Sequence, residues 1–555
     1  MSATAVARHA APLSPLESRP RDGLAGFGTL LLFALRRDRI RFWAWTLGVA
    51  MMSGYFASVL SIVFPEPEDL QLFAAMTANP GAALLIGPGF GDHEPAVDIF
   101  LSSTYGIYLF IGAGIMSILT VSRHTRVEEQ TGRAELVRAN VVGRLTPLTV
   151  ALKVAAAMNV LVAVLVGLLL TGMGFEPAGS FLLGAAIAAV GLAFAGITAT
   201  CVQLTEFSRT GSGLAGAILG GGFLVRGLGD ISASHGGGVG WLSWLSPIGW
   251  SQKAMPFGDD DWRPLLLALA CFFVFGGLGY LLQTRRDVGA GLVPARRGRP
   301  YAAGWLSSPI ALAARLQLAS VVGWSASLFA GGLAYGGFTQ SIIDGFRDAP
   351  KEVLIILGGE DSLLDGYLGL MGSLMGFVVV IYAILAVQGF ATEEADGRAE
   401  PVLATAVGRG RWLGSWVAVT ALGVVVLQVA AGLGNAVGTA SSMGSAEFFG
   451  VIMAGHLIQI PAIWAVLGVA VLLCGQRPRL AGLAWVLFGY SFLLGFFGPL
   501  MEAPEWAMRI SPFEHIGRYP GEEVPYVAMV VLIVVTALMI TGGLALFRRR
   551  DLTSV

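Results

Sequence analysis

The sequence predicts an all-α polytopic membrane protein, and three observations carry that reading: too little charge for a soluble surface, twelve apolar runs of helical length, and a one-sided distribution of arginine. Of 555 residues, 13% are charged and 55% hydrophobic, or about 69% once the 76 glycines are counted. A soluble domain has about 45–50% apolar residues on the same count and about 25% charged ones. About 20 mostly apolar residues span the hydrocarbon as a helix, whereas a barrel strand shows about ten alternating ones. Runs of the first kind lie near 42–63, 98–122, 147–172, 179–203, 212–233 and 263–283, then near 318–343, 363–390, 413–436, 448–474, 481–501 and 525–547.

Arginine then orients the spans. With the N-terminus in the cytoplasm, 27 of the 35 Lys and Arg residues fall on the cytoplasmic side and six on the other, with Lys153 and Arg226 inside spans. The positive-inside rule therefore puts both termini in the cytoplasm, consistent with an even number of crossings. Only three basic residues are lysine, and that arginine bias, with the Ala and Gly content, points to a GC-rich bacterium and its plasma membrane. The net charge of −1 offers no basic face, so no nucleic-acid partner is expected. Cys201, Cys271 and Cys474 sit in apolar runs as packing residues, and no metal site is expected. Residues 1–22 read as a disordered cytoplasmic tail.

The chain repeats itself. Glu128–Arg144, EEQTGRAELVRANVVGR, aligns without gaps to Glu393–Arg409, EEADGRAEPVLATAVGR, with 11 identities in 17 positions. At the same spacing Trp241, Ser246 and Pro247 of WLSWLSP meet Trp506, Ser511 and Pro512 of WAMRISP. One residue less brings Arg285-Arg286-Asp287 onto Arg549-Arg550-Asp551, and a spacing of 279 brings Arg36 and Trp45 onto Arg315 and Trp324. Two parallel six-helix halves follow, 23–283 and 305–555, related by a pseudo-twofold axis along the membrane normal and joined by a cytoplasmic linker at 284–304. A basic amphipathic stretch precedes the first span of each half, at Phe27–Arg41 and near Pro309–Gln317, and suits the headgroup plane.

The loop after the second span of each half, 123–146 and 391–412, is the strongest functional signal. Orientation in the membrane asks only for arginine there, yet Glu-Glu, Gly-Arg-Ala-Glu and Val-Gly-Arg all persist. Gly132 and Gly397 permit a sharp turn, and Glu128, Glu129, Arg133 and Glu135, like Glu393, Glu394, Arg398 and Glu400, offer both charges for docking another protein. The chain carries no nucleotide engine. Its three lysines, Lys153, Lys253 and Lys351, follow Leu152, Gln252 and Pro350, so no G-x-x-x-x-G-K-[ST] loop exists. Nor does the sequence contain HExxH or G-x-S-x-G, and an enzyme is not expected.

Twelve spans in two parallel halves, a basic helix before each half and a repeated Glu-Glu/Gly-Arg-Ala-Glu loop resemble a fused ATP-binding-cassette exporter permease of the type V, ABC-2-like class. Within it the chain is similar to actinobacterial exporters of polyketide antibiotics, the tetronasin-type multidrug efflux permeases. The resemblance implies a type V exporter fold and alternating access. It also implies two copies of a separate ATPase subunit that hold ATP and Mg, with no cofactor on this chain. The two loops would carry coupling helices, with Glu128, Glu129, Gly132, Arg133 and Glu135 in one and Glu393, Glu394, Gly397, Arg398 and Glu400 in the other. Their sequences diverge at Leu136 against Pro401 and at Thr131 against Asp396.

The cargo implied is a hydrophobic drug, antibiotic or lipid-like compound drawn from the cytoplasm or inner leaflet. By resemblance its cavity lies among the first, second and fifth spans of each half. There Tyr55, Tyr105, Tyr108 and Phe223 occur in the first half, and Phe338, Met371, Met375, Phe377, Tyr382, Phe492 and Phe496 in the second. On the outer side WLSWLSP and WAMRISP suit short interfacial helices, with Trp241 and Trp506 as an extracellular gate. Within the spans Arg226 and Asp230, four apart, read as a structural pair, and His456 and Gln459 as polar contacts between helices. The rival is an ion-coupled secondary multidrug transporter. It needs carboxylates inside the membrane, and apart from span-end residues such as Asp98 and Asp365 the spans hold almost none. A scaffold recruiting an ATPase for lipid or wall assembly is a third reading.

Overall fold

A computed structural model describes residues 23–64, 70, 87, 89–90, 93–234, 237–294, 298, 300–340, 343, 363–497 and 504–551. The tail at 1–22, most of the segment at 64–97 and the end of the eleventh run at 498–501 lie outside them. Among the described residues there is no strand, and twelve helices are long and apolar enough to cross a membrane. They are Arg39–Ile62, Val97–Gln130, Thr146–Gly172, Pro177–Leu204, Ser208–Ala233 and Leu265–Gln283, then Pro309–Gly337, Leu363–Ala395, Arg409–Met443, Phe449–Gln476, Pro478–Phe496 and Tyr526–Arg549. Each apolar run of the sequence has its helix. Several overrun the run by a turn or more, because a helix satisfies its own backbone and has no reason to stop where side chains turn polar.

The helix starts are written in the sequence. Glu176 caps the fourth span by accepting from Gly179 N at 3.0 Å, and Ser308 caps the seventh by accepting from Ala311 N at 3.3 Å. Each is followed by proline at the first helical position, where no N–H is needed. The basic stretches that precede the first and seventh spans differ. Phe27–Arg37 is a helix of its own, set off from the first span at Asp38, whereas Pro309–Gln317 forms the opening turns of the seventh span without a break.

The described residues divide into two compact units, those up to 294 in unit 1 and those from 298 on in unit 2. In unit 1 the fourth span is the most buried helix and packs on the second, third and sixth. In unit 2 the tenth span packs on the eighth and the twelfth. The first span packs on the third, and the seventh on the ninth.

The last pairing is the closest in unit 2. A Cβ on Gly434 would stand 2.1 Å from Phe329 O and one on Gly438 2.2 Å from Leu333 O, while a Cβ on Gly332 or Gly336 would stand 2.4 Å from Ala431 O or 2.2 Å from Asn435 O. Small residues four apart on both helices let the backbones touch, which replaces the missing hydrophobic drive between helices in lipid with close packing. Gly434→Leu should therefore push these helices apart and lower stability by about 2–3 kcal/mol, read as an earlier thermal unfolding in detergent. Gly450→Leu, at a site with open space around it, should change little.

Candidate functional site

Each repeated loop turns on a glycine that the sequence singled out. Gly132 and Gly397 both sit at φ 72°, in the left-handed region where a Cβ clashes with the following carbonyl. The turn separates the end of the second or eighth span from a short helix, Arg133–Arg138 in unit 1 and Ala399–Leu403 in unit 2. Across it the first glutamate meets the arginine five residues on: Glu128 with Arg133 at 3.7 Å, and Glu393 with Arg398 at 2.9 Å. The Arg398 guanidinium is pushed above its ordinary pKa, first by its hydrogen bond to Glu393. Glu128 also binds Arg37 from the helix before the first span, at 3.0 Å.

The second glutamate of each pair does something different. Glu129 accepts from both terminal nitrogens of Arg286, at 2.7 and 3.0 Å, and from Arg126 at 2.6 Å. Glu394 accepts two bonds from Arg550, at 2.5 and 2.6 Å. These side chains are only 10% and 2% exposed, so their carboxylates face inward rather than toward solvent. The same arginines reach the fourth and tenth spans, Arg286 Nε donating to Gln203 Oε1 at 2.6 Å and Arg550 Nε to Gly475 O at 3.2 Å. The closing Val-Gly-Arg joins in. Arg144 donates to the carbonyls of Gln283, Thr284 and Arg286, and Arg409 to that of Arg550 at 2.6 Å.

Thus the repeated Glu-Glu…Arg and the repeated Arg-Arg-Asp, far apart in sequence, form one bidentate clamp per unit. It ties the loop to the end of that unit's last helix. Arg286 and Arg550 were visible in the sequence only as part of the repeat. Arg126 gave no signal, since its matched position is Ala391. It sits on a π-helical stretch, Arg123–Val127, whereas the eighth span is α-helical throughout Leu363–Ala395. Left at the surface of the loops are Arg133, Glu135 and Leu136 in unit 1, and Asp396, Arg398, Glu400 and Pro401 in unit 2.

The aromatic candidates fall into separate groups. In unit 1 Tyr55, Tyr105 and Tyr108 gather around Phe56, with Tyr55 and Tyr108 about half exposed. Phe223 lies under the Arg226 guanidinium, 4.8 Å from its carbon. In unit 2 Phe377 stacks on Phe513 at 4.0 Å and meets Phe492 and Phe496 at 5.6 Å. Phe338, Met371, Met375 and Tyr382 are buried within their own unit, Tyr382 donating to Gln317 Oε1 at 3.3 Å.

Trp241 and Trp506 are 57% and 70% exposed on the short helices Gly240–Leu245 and Glu505–Met508. Both segments are pinned to the preceding span. Ser243 donates to Asp230 at 2.6 Å in the first, and Tyr490 donates to Ala507 O at 2.7 Å in the second. Arg226 and Asp230 pair at 3.2 Å as their spacing implies, and His456 meets Asn435 at 3.1 Å while Gln459 meets Ser373 at 3.4 Å.

The family described as "Multidrug efflux system permease Rv1217c, C-terminal domain" matches residues 28–282 and 306–548. The chain is also 34% identical, over 99% of its own length and all of the relative's, to the multidrug efflux system permease protein Rv1217c of Mycobacterium tuberculosis. The chain belongs to this permease family. Each matched stretch of the permease holds one repeated loop and one pinned tryptophan segment, and the clamp arginines Arg286 and Arg550 lie just past its end.

The two ion pairs of a permease loop should weigh very differently. Arg550→Gln takes the guanidinium from a buried carboxylate and should destabilise unit 2 by about 3–5 kcal/mol, with most of the loss recovered in the Glu394→Gln/Arg550→Gln double variant. Arg398→Gln, at a half-exposed pair, should cost less than about 1 kcal/mol. Denaturation in detergent, followed as a double-mutant cycle, reads both.

Proposed function

We propose that this permease is the membrane subunit of an ATP-driven ABC exporter of the type V class. It extrudes hydrophobic drugs, antibiotics or lipid-like compounds from the cytoplasm or inner leaflet by alternating access. The observation that carries the reading is the twice-built loop: the same positive-φ glycine, the same glutamate–arginine pair across it, and the same clamp to the last helix of its unit. A loop needed only to stay wet has no use for a buried bidentate clamp. A loop that must transmit force to six helices does.

In this reading each half is one repeat. Both termini and both loops lie in the cytoplasm of a bacterial plasma membrane, and two copies of a separate ATPase subunit, carrying ATP and Mg, dock one on each loop. The docking contacts are the exposed groups: Arg133, Glu135 and Leu136 on one loop, and Arg398 and Glu400 on the other. Glu129 and Glu394 act behind them, holding the loop to the bundle so that motion of the ATPase reaches the spans. Nucleotide binding energy then switches the spans between two arrangements, which transport requires to differ in affinity for cargo. The family's name and the lack of a phosphate-binding loop in this sequence both support a borrowed motor.

The test is reconstitution with the cognate ATPase. Arg133→Glu/Arg398→Glu should leave the permease folded and able to bind drug while reducing stimulated ATP hydrolysis and efflux about tenfold or more, the scale expected when charge contacts at a docking face are reversed. Efflux by the purified chain alone, in vesicles without nucleotide, would overturn the reading.

A further inference from the structure

We propose that unit 1 carries a binding site for an anionic amphiphile, a molecule with one carboxylate or phosphate head on an apolar body, in a cavity beside its repeated loop. The cavity has a volume of about 560 Å³, is partly open, and is lined by the joint at Asp38, the start of the first span, the end of the second, the third span and the start of the fifth. Sites for small molecules usually fall between about 300 and 1,000 Å³ and combine apolar walls with a few directed polar groups. Here the walls are Phe42, Trp45, Leu119 and Met158, and the charges are Arg41, Arg123, Arg209 and Asp38, with His124.

The charges do not balance. Asp38 is already taken: Arg123 donates to both its oxygens at 2.9 and 2.8 Å, and Arg37 and His124 stand 3.5 and 3.4 Å away. Burial works to raise the Asp38 carboxyl, and the hydrogen bonds and charge of Arg123, with those neighbours, outweigh it and hold the group below its ordinary value. The side chains of Arg41 and Arg209 have no hydrogen-bond or ion-pair partner among the described residues. Two exposed guanidiniums without a partner therefore line one partly open, largely apolar chamber from different helices. Guanidinium takes carboxylate or phosphate oxygens in pairs.

The second half shows that the fold does not require Asp38, Arg41 or Arg123, although Arg209 at the start of the fifth span has Arg477 and Arg479 at the start of the eleventh. At the spacings of the repeat, Asp38, Arg41 and Arg123 correspond to Gln317, Ser320 and Gln388, none of them ionisable. Gln317 is buried and spent on its own unit, accepting from Thr420 at 3.0 Å and Tyr382 at 3.3 Å and donating to Trp416 O. At the matched positions these three charges are thus particular to unit 1, and beyond the Asp38–Arg123 pair the structure gives Arg41 and Arg209 no internal partner. The inference goes beyond ATP-driven export and stands or falls without it.

Trp45 in the wall supplies the readout. The full chain in phosphatidylcholine nanodiscs is titrated with dibromostearate, and the quenching lost in Trp45→Phe isolates the contribution of that indole. This component should saturate and be displaced by oleate, the same acyl chain with a carboxylate, but not by its neutral counterpart monoolein. Arg41→Gln/Arg209→Gln should weaken the apparent affinity about tenfold or more, as loss of charged hydrogen bonds does, while Arg41→Lys/Arg209→Lys stays within a few-fold. The single Gln variants provide the same reading at smaller amplitude should the double variant not fold. Discs containing phosphatidylglycerol separate the sources: displacement of dibromostearate assigns the site to a lipid headgroup, and no displacement assigns it to a free amphiphile. A Trp45 component that does not saturate, that monoolein displaces as well as oleate, or that is unchanged by the Gln variants overturns the proposal.

Discussion

The structure depends on a carboxylate held by a guanidinium at the end of each bundle. Glu129 with Arg286, and Glu394 with Arg550, join a loop to a helix terminus some 150 residues away in sequence. Few other contacts could do this where the spans leave the apolar region and packing area runs out. A planar fork that meets both oxygens fixes orientation as well as distance, which a lysine could not. The remaining nitrogen reaches a third helix, so one residue sets the relation of three elements.

Most of the architecture was legible because a membrane allows few choices. Backbone groups in hydrocarbon must be satisfied within the helix, so length and apolarity alone place a span, and all twelve were placed. The repeat was legible for a different reason, since its identities cluster at residues whose geometry has little freedom: a glycine at φ 72°, a glutamate in a clamp, an arginine on helix carbonyls. What composition could not supply was which face of a residue is used. Glu128 and Glu129 are adjacent and alike in sequence, yet one looks across a turn and the other into the bundle. That difference arises from a rotation of about 100° per residue and from an arginine in a distant segment. The aromatic residues were harder still. Tyr382 and Phe492 read alike as apolar positions on helices, but one is enclosed and the other partly open, because burial depends on which helices pack beside them.

The two units use the repeat unequally. Unit 1 adds Arg126 to its clamp, a π-helical stretch at the end of its second span, a separate helix before its first span, and the charged chamber at Asp38. Unit 2 has continuous helices at the matching places and an uncharged Gln317 network. Such differences mark where the two units are not interchangeable despite their matching loop sequences. Interchange of whole segments between them would therefore be asymmetric in its consequences.

The glycine-lined crossing of the seventh and ninth spans has a mechanical corollary. Where two backbones touch, no rotamer change can absorb a displacement, and sliding one helix would drive Cα atoms into carbonyl oxygens. The pair is consequently a stiff beam rather than a hinge, and any flexing of that unit must be taken up by neighbours whose side chains still have room to turn.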